Sequence, residues 1–306
     1  MIPSTLIRAA KWSSLALGHY GRALAATTFP GVAVLCYHGL RPDGLEAGAV
    51  PLGNLHVSAS AFEAHCRLVR ETCHPISLDD WRAAWRGDFR LPARPVLMTF
   101  DDGYRSVATI AAPLLERFEL PAVVFACSEP IAERRLLWFD AIASRDGAAA
   151  VEEWKSLDYE AWRRGCVSVP SAADDDDPRA VMTVAQLQTL SRQRGIEVGA
   201  HTARHPILAR GSVQRQREEI AESRDAIAGW IGRPVRAFAY PNGRKELDYT
   251  PATVGILADL GFDAAFTIHR AFARPQEPAL ERSRFLMLAS VTGAELAHRL
   301  AYTWPR

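Results

Sequence analysis

The sequence predicts an α/β fold built on parallel strands, arranged as a barrel or as an open doubly wound sheet. Three observations carry that expectation. Seven short apolar runs of strand character recur along the chain, at 32–37, 96–100, 122–127, 195–199, 235–240, 262–267 and 285–288. Helix-capping patterns separate them, and such alternation requires crossovers between strands that run the same way. The 306 residues, 48% apolar and 23% charged, suit one large domain of this kind or two smaller ones.

The elements follow in chain order. The segment 1–30 places Arg8 and Lys11 ahead of a mildly apolar stretch that Ser13, Ser14, His19, Tyr20 and Arg22 interrupt. It reads as an amphipathic helix, packed on the domain or resting on a membrane surface, ahead of a secretory leader. The rest, 31–306, reads as one domain. Val32–Tyr37 is its first strand. Ser60-Ala61-Phe62-Glu63 forms a capping box that opens a helix to about Glu71. Ser77 caps a second helix, with Trp81 and Trp85 on one face as core packing. The strand Val96–Phe100 follows, then a helix from about Tyr104 to Phe118 and the strand Ala122–Cys127. Thr183-x-x-Gln186 opens the helix ahead of the strand at 195–199. Ser212 starts a long charged helix that Gly232 closes. Val235–Tyr240 is a strand. Thr250-Pro251 is an N-cap with proline at the first helical position, and Gly261 closes that helix. Phe262–Thr267 and Phe285–Leu288 are the last strands.

Residues 129–182 break the alternation and read as an insertion over one end of the sheet. Trp138, Trp154 and Trp162 read as packing ahead of sugar platforms. Asp174–Asp177 reads as a solvated loop ahead of a calcium site.

Net charge is +1, which gives no electrostatic case for nucleic acid or a strongly acidic partner. No run of 18 apolar residues exists to span a membrane. The cysteines, Cys36, Cys66, Cys73, Cys127 and Cys166, are odd in number and lack a Cys-x-x-Cys. Cys36 and Cys127 lie inside strand runs and read as small buried hydrophobes. A disulfide framework is not expected. The reading is of a reducing compartment, cytoplasmic with peripheral membrane contact as an option, and periplasmic as the alternative.

The chemistry concentrates at two strand ends. The run Val96–Phe100 stops at Asp101-Asp102-Gly103-Tyr104, which delivers two carboxylates to the C-terminal edge of a sheet. That edge is where α/β folds place their sites. Adjacent carboxylates repel, and a cation is the common remedy. Its ligands come a hundred residues later, in His201-Thr202-Ala203-Arg204-His205-Pro206. Histidines four apart fall on one face of a helical turn, and Pro206 ends that turn at His205. Asp102, His201 and His205 supply one carboxylate and two imidazoles with a position left open, an arrangement of catalytic centres. Asp101 is left over as a base. Tyr37 and His38 end the first strand and line the pocket beside it. Zinc suits this donor set first, with nickel, cobalt or iron as alternatives.

Thr99-Phe100-Asp101-Asp102-Gly103 and His201-Thr202-x-x-His205 resemble, in order and separation, the first two motifs of the polysaccharide deacetylases, carbohydrate esterase family 4. Flanking segments resemble that family too, among them Tyr37-His38, Leu120-Pro121-Ala122 and Phe238-Ala239-Tyr240-Pro241-Asn242-Gly243. The resemblance covers roughly 32–288. It implies a distorted (β/α) barrel of about seven strands. It also implies metal-dependent hydrolysis of the acetamide of N-acetylglucosamine-type units in a polysaccharide or its lipid-linked precursor. Asp101 is then the base, Asp102, His201 and His205 hold the ion, and the backbone N–H of Asn242 helps form the oxyanion hole. Tyr240 and Pro241 would face substrate. Two departures stand out. The arginine that orients the base in the family's third motif is Ala239 here, so Arg284, or more weakly Arg236, is the substitute. The late Leu-x-His motif that supplies the acid has only Leu296-Ala297-His298, in a helix-like stretch; His269, just past a strand end, is the geometric alternative. Hydrolysis of another non-peptide C–N bond and a glycan-binding pseudoenzyme are the competing functions.

Overall fold

The computed structural model describes residues 4–169, 174 and 176–304. Among them the strands are β1 (Ala33–Tyr37), β2 (Leu40–Arg41), β3 (Val57–Ser58), β4 (His74–Pro75), β5 (Pro95–Phe100), β6 (Ala122–Ala126), β7 (Ile196–Ala200), β8 (Ala237–Ala239), β9 (Ala264–Phe266) and β10 (Phe285–Leu286). β1, β5 and β6 are buried at every position, as parallel strands covered on both faces must be. Seven strands pair in the order β10-β1-β5-β6-β7-β8-β9, all parallel, with β4 added beside β5. A parallel bridge, Phe266 to Arg282, ties β9 to the chain just ahead of β10. An order that advances around the sheet and returns the last strand beside the first belongs to a barrel; a doubly wound sheet reverses at its middle. The fold is a distorted (β/α)7 barrel.

The helices sit where their caps place them. At the N-terminus, α1 (Ser4–Ala16) and α2 (His19–Ala25) pack on the domain: Tyr20 and Leu24 are buried in the outer core, and Lys11 pairs with Glu295 at 2.6 Å. The helix α3 (Ala59–Thr72) starts earlier than the capping box at Ser60 predicts. Ser58 is its cap, accepting from the Ala61 N–H, while the Ser60 hydroxyl is drawn off to Asp43 at 2.7 Å. Ser77 caps α4 (Leu78–Arg86) in a full capping box with Asp80. A helical stretch that includes a five-residue π segment, Val107–Ala111, leads into α5 (Ala112–Arg117). The insertion contributes α6 (Ser128–Glu133), α7 (Trp138–Asp146), α8 (Ala148–Lys155) and α9 (Tyr159–Ser168). Thr183 caps α10 (Val184–Ser191) and Ser212 caps α11 (Val213–Ile231), which ends at a left-handed Gly232. The helix α12 (Pro251–Asp259) follows Thr250 as expected, and α13 (Gly293–His298) runs on into a π segment, Arg299–Thr303.

Strand side chains alternate between two faces, which sorts them into a lumen and an outer layer. Val34, Leu97, Val123, Phe125, Ala237, Ala239, Ala264 and Phe266 meet inside. Leu35, Tyr37, Met98, Phe100, Val124 and Phe238 pack outward under the helices. The helix α4 plugs the floor: Trp81 lies 5.9 Å from Phe266, and Arg82 bonds Glu197 and Asp263. The same parity carries Thr99 and Asp101 inward behind Leu97, and Cys36 and His38 inward behind Val34. Everything chemical is thus stacked above an apolar, closed base.

Candidate metal and hydrolytic site

Past β5 the chain turns sharply. The Asp101 N–H still donates to the Tyr37 carbonyl at 2.9 Å, extending the β1–β5 ladder by one step. Asp102 then adopts φ 74° and Gly103 φ 86°. A left-handed aspartate is uncommon, and the twist re-aims its carboxylate toward the neighbouring strand end. Glycine suits position 103 because its φ lies where L side chains are strained.

The second loop leaves β7 at His201, whose N–H donates to the Ala126 carbonyl. It is not the helical turn that the four-residue spacing predicts. Thr202 and His205 both lie in the left-handed region, at φ 66° and 63°, and the Thr202 hydroxyl accepts from the His205 N–H at 2.9 Å. The imidazoles meet because the loop doubles back, not because a helix aligns them. Nε2 of His201 and Nε2 of His205 each stand 3.3 Å from the same oxygen, Oδ1 of Asp102. All three side chains are buried.

These residues fit a divalent cation. The Nδ1 of His201 lies 2.7 Å from the Ala239 carbonyl, which only accepts, so Nδ1 carries the proton. With no further proton on the ring, Nε2 points its lone pair at a carboxylate oxygen. Both Asp102 oxygens and Nδ1 of His205 are buried without a hydrogen-bond partner. Lone pairs converging on an unsatisfied carboxylate repel unless a positive charge lies among them. A buried carbonyl fixing the far nitrogen of a ligating histidine is the usual support of such centres.

Beside this triad stands a second, interlocked pair. Arg284 is fully buried and grips Asp101 with both arms, Nη1 to Oδ1 and Nη2 to Oδ2 at 2.7 Å each. Its Nε donates to the Thr267 carbonyl, and its guanidinium rests near the rings of Phe125 and Phe266. Burial alone raises the Asp101 carboxyl; the Arg284 charge, with His201 and the Arg284 hydrogen bonds, outweighs it and holds the group below its ordinary range. Arg284 thus reaches the carboxylate from just ahead of the last strand, while Ala239 gives its carbonyl to His201. Arg236 is exposed ahead of β8, at the opposite end of that strand from the site, and is no substitute. Cys36 Sγ, a His38 ring nitrogen and an Asp101 oxygen lie within 4.8 Å of one another. His38 is half-buried, and its Nδ1 has no partner.

Beyond β8, Asn242 adopts φ 57°, and its N–H donates no hydrogen bond among the described residues. Pro241 is buried and shapes that turn, its carbonyl accepting from Gly243. Two residues expected to face substrate do not. Tyr37 points outward, its hydroxyl 3.1 Å from His65 and its ring against Phe62 and Phe100. Tyr240 stacks on Tyr249 at 3.9 Å and donates to the Leu280 carbonyl. Both occupy the outward parity of their strands, which the sequence reading did not apply. His269 is exposed on the rim; its carbonyl accepts from Arg284, but its ring makes no hydrogen bond or ring contact among the described residues. His298 packs on Tyr20 and Tyr302 at the foot of α1 and α2.

Sequence reasoning missed how close His38 lies to Asp101. The register had the signal: Tyr37 pairs with Phe100, so the next residues are neighbours. It also missed the support of the His201–His205 loop by Trp138, Tyr159 and Glu219, for which no motif exists. The insertion's tryptophans pack on one another, with Trp138 stacked on Trp154 and edge-on to Trp162. Asp177 pairs with Arg179, while Asp175 lies outside the described residues.

Comparison with known proteins bears on family and fold. The family model described as polysaccharide deacetylase matches residues 90–265. The poly-beta-1,6-N-acetyl-D-glucosamine N-deacetylases of Escherichia coli K12 and O157:H7 are 33% identical over 107 residues, 34% of this chain and 16% of each relative. The match therefore spans about a sixth of those relatives. IcaB from Ammonifex degensii superposes with a TM-score of 0.65 at 21% identity, covering 90% of this chain and 99% of that one. The Streptococcus pyogenes deacetylase PplD in complex with acetate gives 0.64 at 20%, covering 88% and 98%. At these identities the structural likeness is one of fold. With the family model spanning more than half its length, the chain belongs to the polysaccharide deacetylase family, hydrolases acting on amide C–N bonds.

Proposed function

We propose that this protein is a metal-dependent N-deacetylase acting on N-acetylglucosamine-type units of a β-linked glycan. The observation that carries the reading is the interlock of two sets at one strand edge: Asp102, His201 and His205 around a cation position, and Asp101 held by Arg284 beside it. Zinc is the ion this donor set favours, with nickel, cobalt and iron(II) as alternatives. A poly-β-1,6-linked acetylglucosamine is the substrate suggested by the Escherichia coli relatives.

Asp102, His201 and His205 would hold a divalent ion, which when bound would supply polarisation of an amide carbonyl and a water pKa lowered toward ~7. The chain supplies the rest. Asp101, kept ionised by Arg284, takes the proton of the attacking water. The free N–H of Asn242 donates to the oxygen on which charge develops, a contribution of about 3 kcal/mol for one such donor. His38, beside Asp101 and with an unpartnered Nδ1, is better placed than His269 to protonate the departing amine. The closed floor of the barrel keeps bulk water from reaching these groups from below.

Acetate release from β-1,6- and β-1,4-linked acetylglucosamine oligomers tests this reading on the zinc-loaded protein. The parent releases acetate, and Asp101→Asn loses at least ~100-fold in rate while retaining zinc. An Asp101→Asn protein as fast as the parent overturns the assignment of the base. Formate from an N-formyl analogue, with no acetate from either oligomer, moves the substrate to another C–N bond.

A further inference from the structure

We infer that the inserted segment between β6 and α10, together with Glu219 of α11, is a clamp that sets the geometry of the cation-binding loops, with Trp138, Tyr159 and Glu219 as positioning residues. This rests on the metal-site reading above. Two non-glycine residues of the His201–His205 loop are left-handed, and such residues persist only where their surroundings over-determine them. The surroundings here are specific. The Trp138 indole N–H donates to the His205 carbonyl at 2.8 Å. Ala203 donates to the Glu219 carbonyl and accepts from the Glu129 N–H, both at 2.9 Å. The Glu219 carboxylate, fully buried, receives the Arg204 N–H and guanidinium at 3.0 Å each and the Tyr159 hydroxyl at 2.7 Å.

The same insertion grips the other side of the cation position. The Gly103 carbonyl accepts from Met182, Arg105 donates to the Ala180 carbonyl, and the Tyr104 hydroxyl donates to buried Asp140 at 2.7 Å. One segment thus bonds to the turn carrying Asp102 and to the loop carrying both histidines. None of Trp138, Tyr159 or Glu219 is itself a ligand. Each acts through backbone or through Arg204, so each governs where the imidazoles stand. Outer partners of this kind are typically worth about 10- to 100-fold in metal affinity.

The test is metal affinity of the full chain. Zinc dissociation constants come from competition with a chromophoric chelator, and the visible spectrum of the cobalt-loaded protein reports ligand geometry. Trp138→Phe and Glu219→Gln should each weaken zinc about tenfold or more and move the cobalt bands. Tyr159→Phe makes the same test with a smaller perturbation if Glu219→Gln does not fold. Ile227→Ala, a core cavity in the same helix, should lower the melting temperature and leave zinc affinity unchanged. If the parent binds zinc and the folded variants match it in affinity and cobalt spectrum, the clamp is overturned while the metal site stands. If affinity follows melting temperature alone, Ile227→Ala included, the effect is general stability and the clamp is again overturned. A parent that takes up neither ion overturns the metal reading and this inference together.

Discussion

At the scale of single residues, the site depends on one buried ion pair. Arg284 and Asp101 are withdrawn from water, and their fork-to-fork geometry compensates the desolvation. The arginine also sets the protonation of the base. Lysine in its place keeps a charge but loses the second arm, so the hold on Asp101 weakens and its pKa rises. Arg284→Lys should therefore lower kcat by about 10- to 100-fold and shift the acidic limb of the pH–rate profile to higher pH. An unchanged limb with reduced rate would show that Arg284 orients without tuning. His65 illustrates the opposite case, a buried group held neutral. Burial pushes its imidazole down to about 4, and the Tyr37 hydroxyl is its partner. Unfolded, the group titrates near 6.5. Between those values only the unfolded chain binds the proton, so stability is complete above about pH 6.5 and falls as pH drops toward 4. By pH 5 the loss is about 2 kcal/mol from this residue. The urea midpoint should fall between pH 7 and pH 5, and His65→Gln should narrow that difference.

At the scale of elements, the site reuses one device at three strand ends. β5 is followed by left-handed Asp102, β7 by left-handed Thr202 and His205, and β8 by left-handed Asn242. Each reversal ends the strand's alternation just past the sheet edge, and at the first two it brings Asp102 and His205 together. Such residues carry strain of order 1–3 kcal/mol each. They persist because neighbouring donors and acceptors hold them, such as the Thr202 hydroxyl on the His205 N–H. At Asn242 the group assigned a role is the backbone N–H, which glycine keeps. Asn242→Gly should retain acetate release within a few-fold and keep or raise the melting temperature, since glycine adopts this φ freely. Asn242→Ala should lower the melting temperature. Loss of activity in the glycine variant would assign the role to the asparagine side chain instead.

At the scale of the whole molecule, the barrel separates stability from chemistry along its axis. The floor is apolar packing, with Trp81, Phe125 and Phe266 below and the Arg82–Glu197–Asp263 network beneath. The C-terminal edge carries every titratable group of the site. The insertion departs from that edge, after β6, and folds back over it, which is why its bonds reach both motif loops. The segment 4–30 is likewise part of the fold, through Tyr20, Leu24 and Lys11. No helix among the described residues is long and apolar enough to cross a membrane.

Much of this was legible along the chain. Apolar runs ending in turn residues located all seven barrel strands, and the caps at Ser77, Thr183, Ser212 and Thr250 located their helices, because both signals are local. The two motifs named the donor types for the same reason: carboxylate and imidazole chemistry belongs to the residue. What only the tertiary structure decided was direction and neighbourhood. Strand parity sent Tyr37 and Tyr240 outward, although both sit beside the motifs in sequence. A loop without helix brought His201 and His205 together. Arg284 and Arg236 were both open as partners of Asp101 from the sequence; the pairing of β10 with β1 decided for Arg284, 183 positions away. A pairwise bond between distant segments depends on how the sheet closes, and no local pattern of residues encodes that closure.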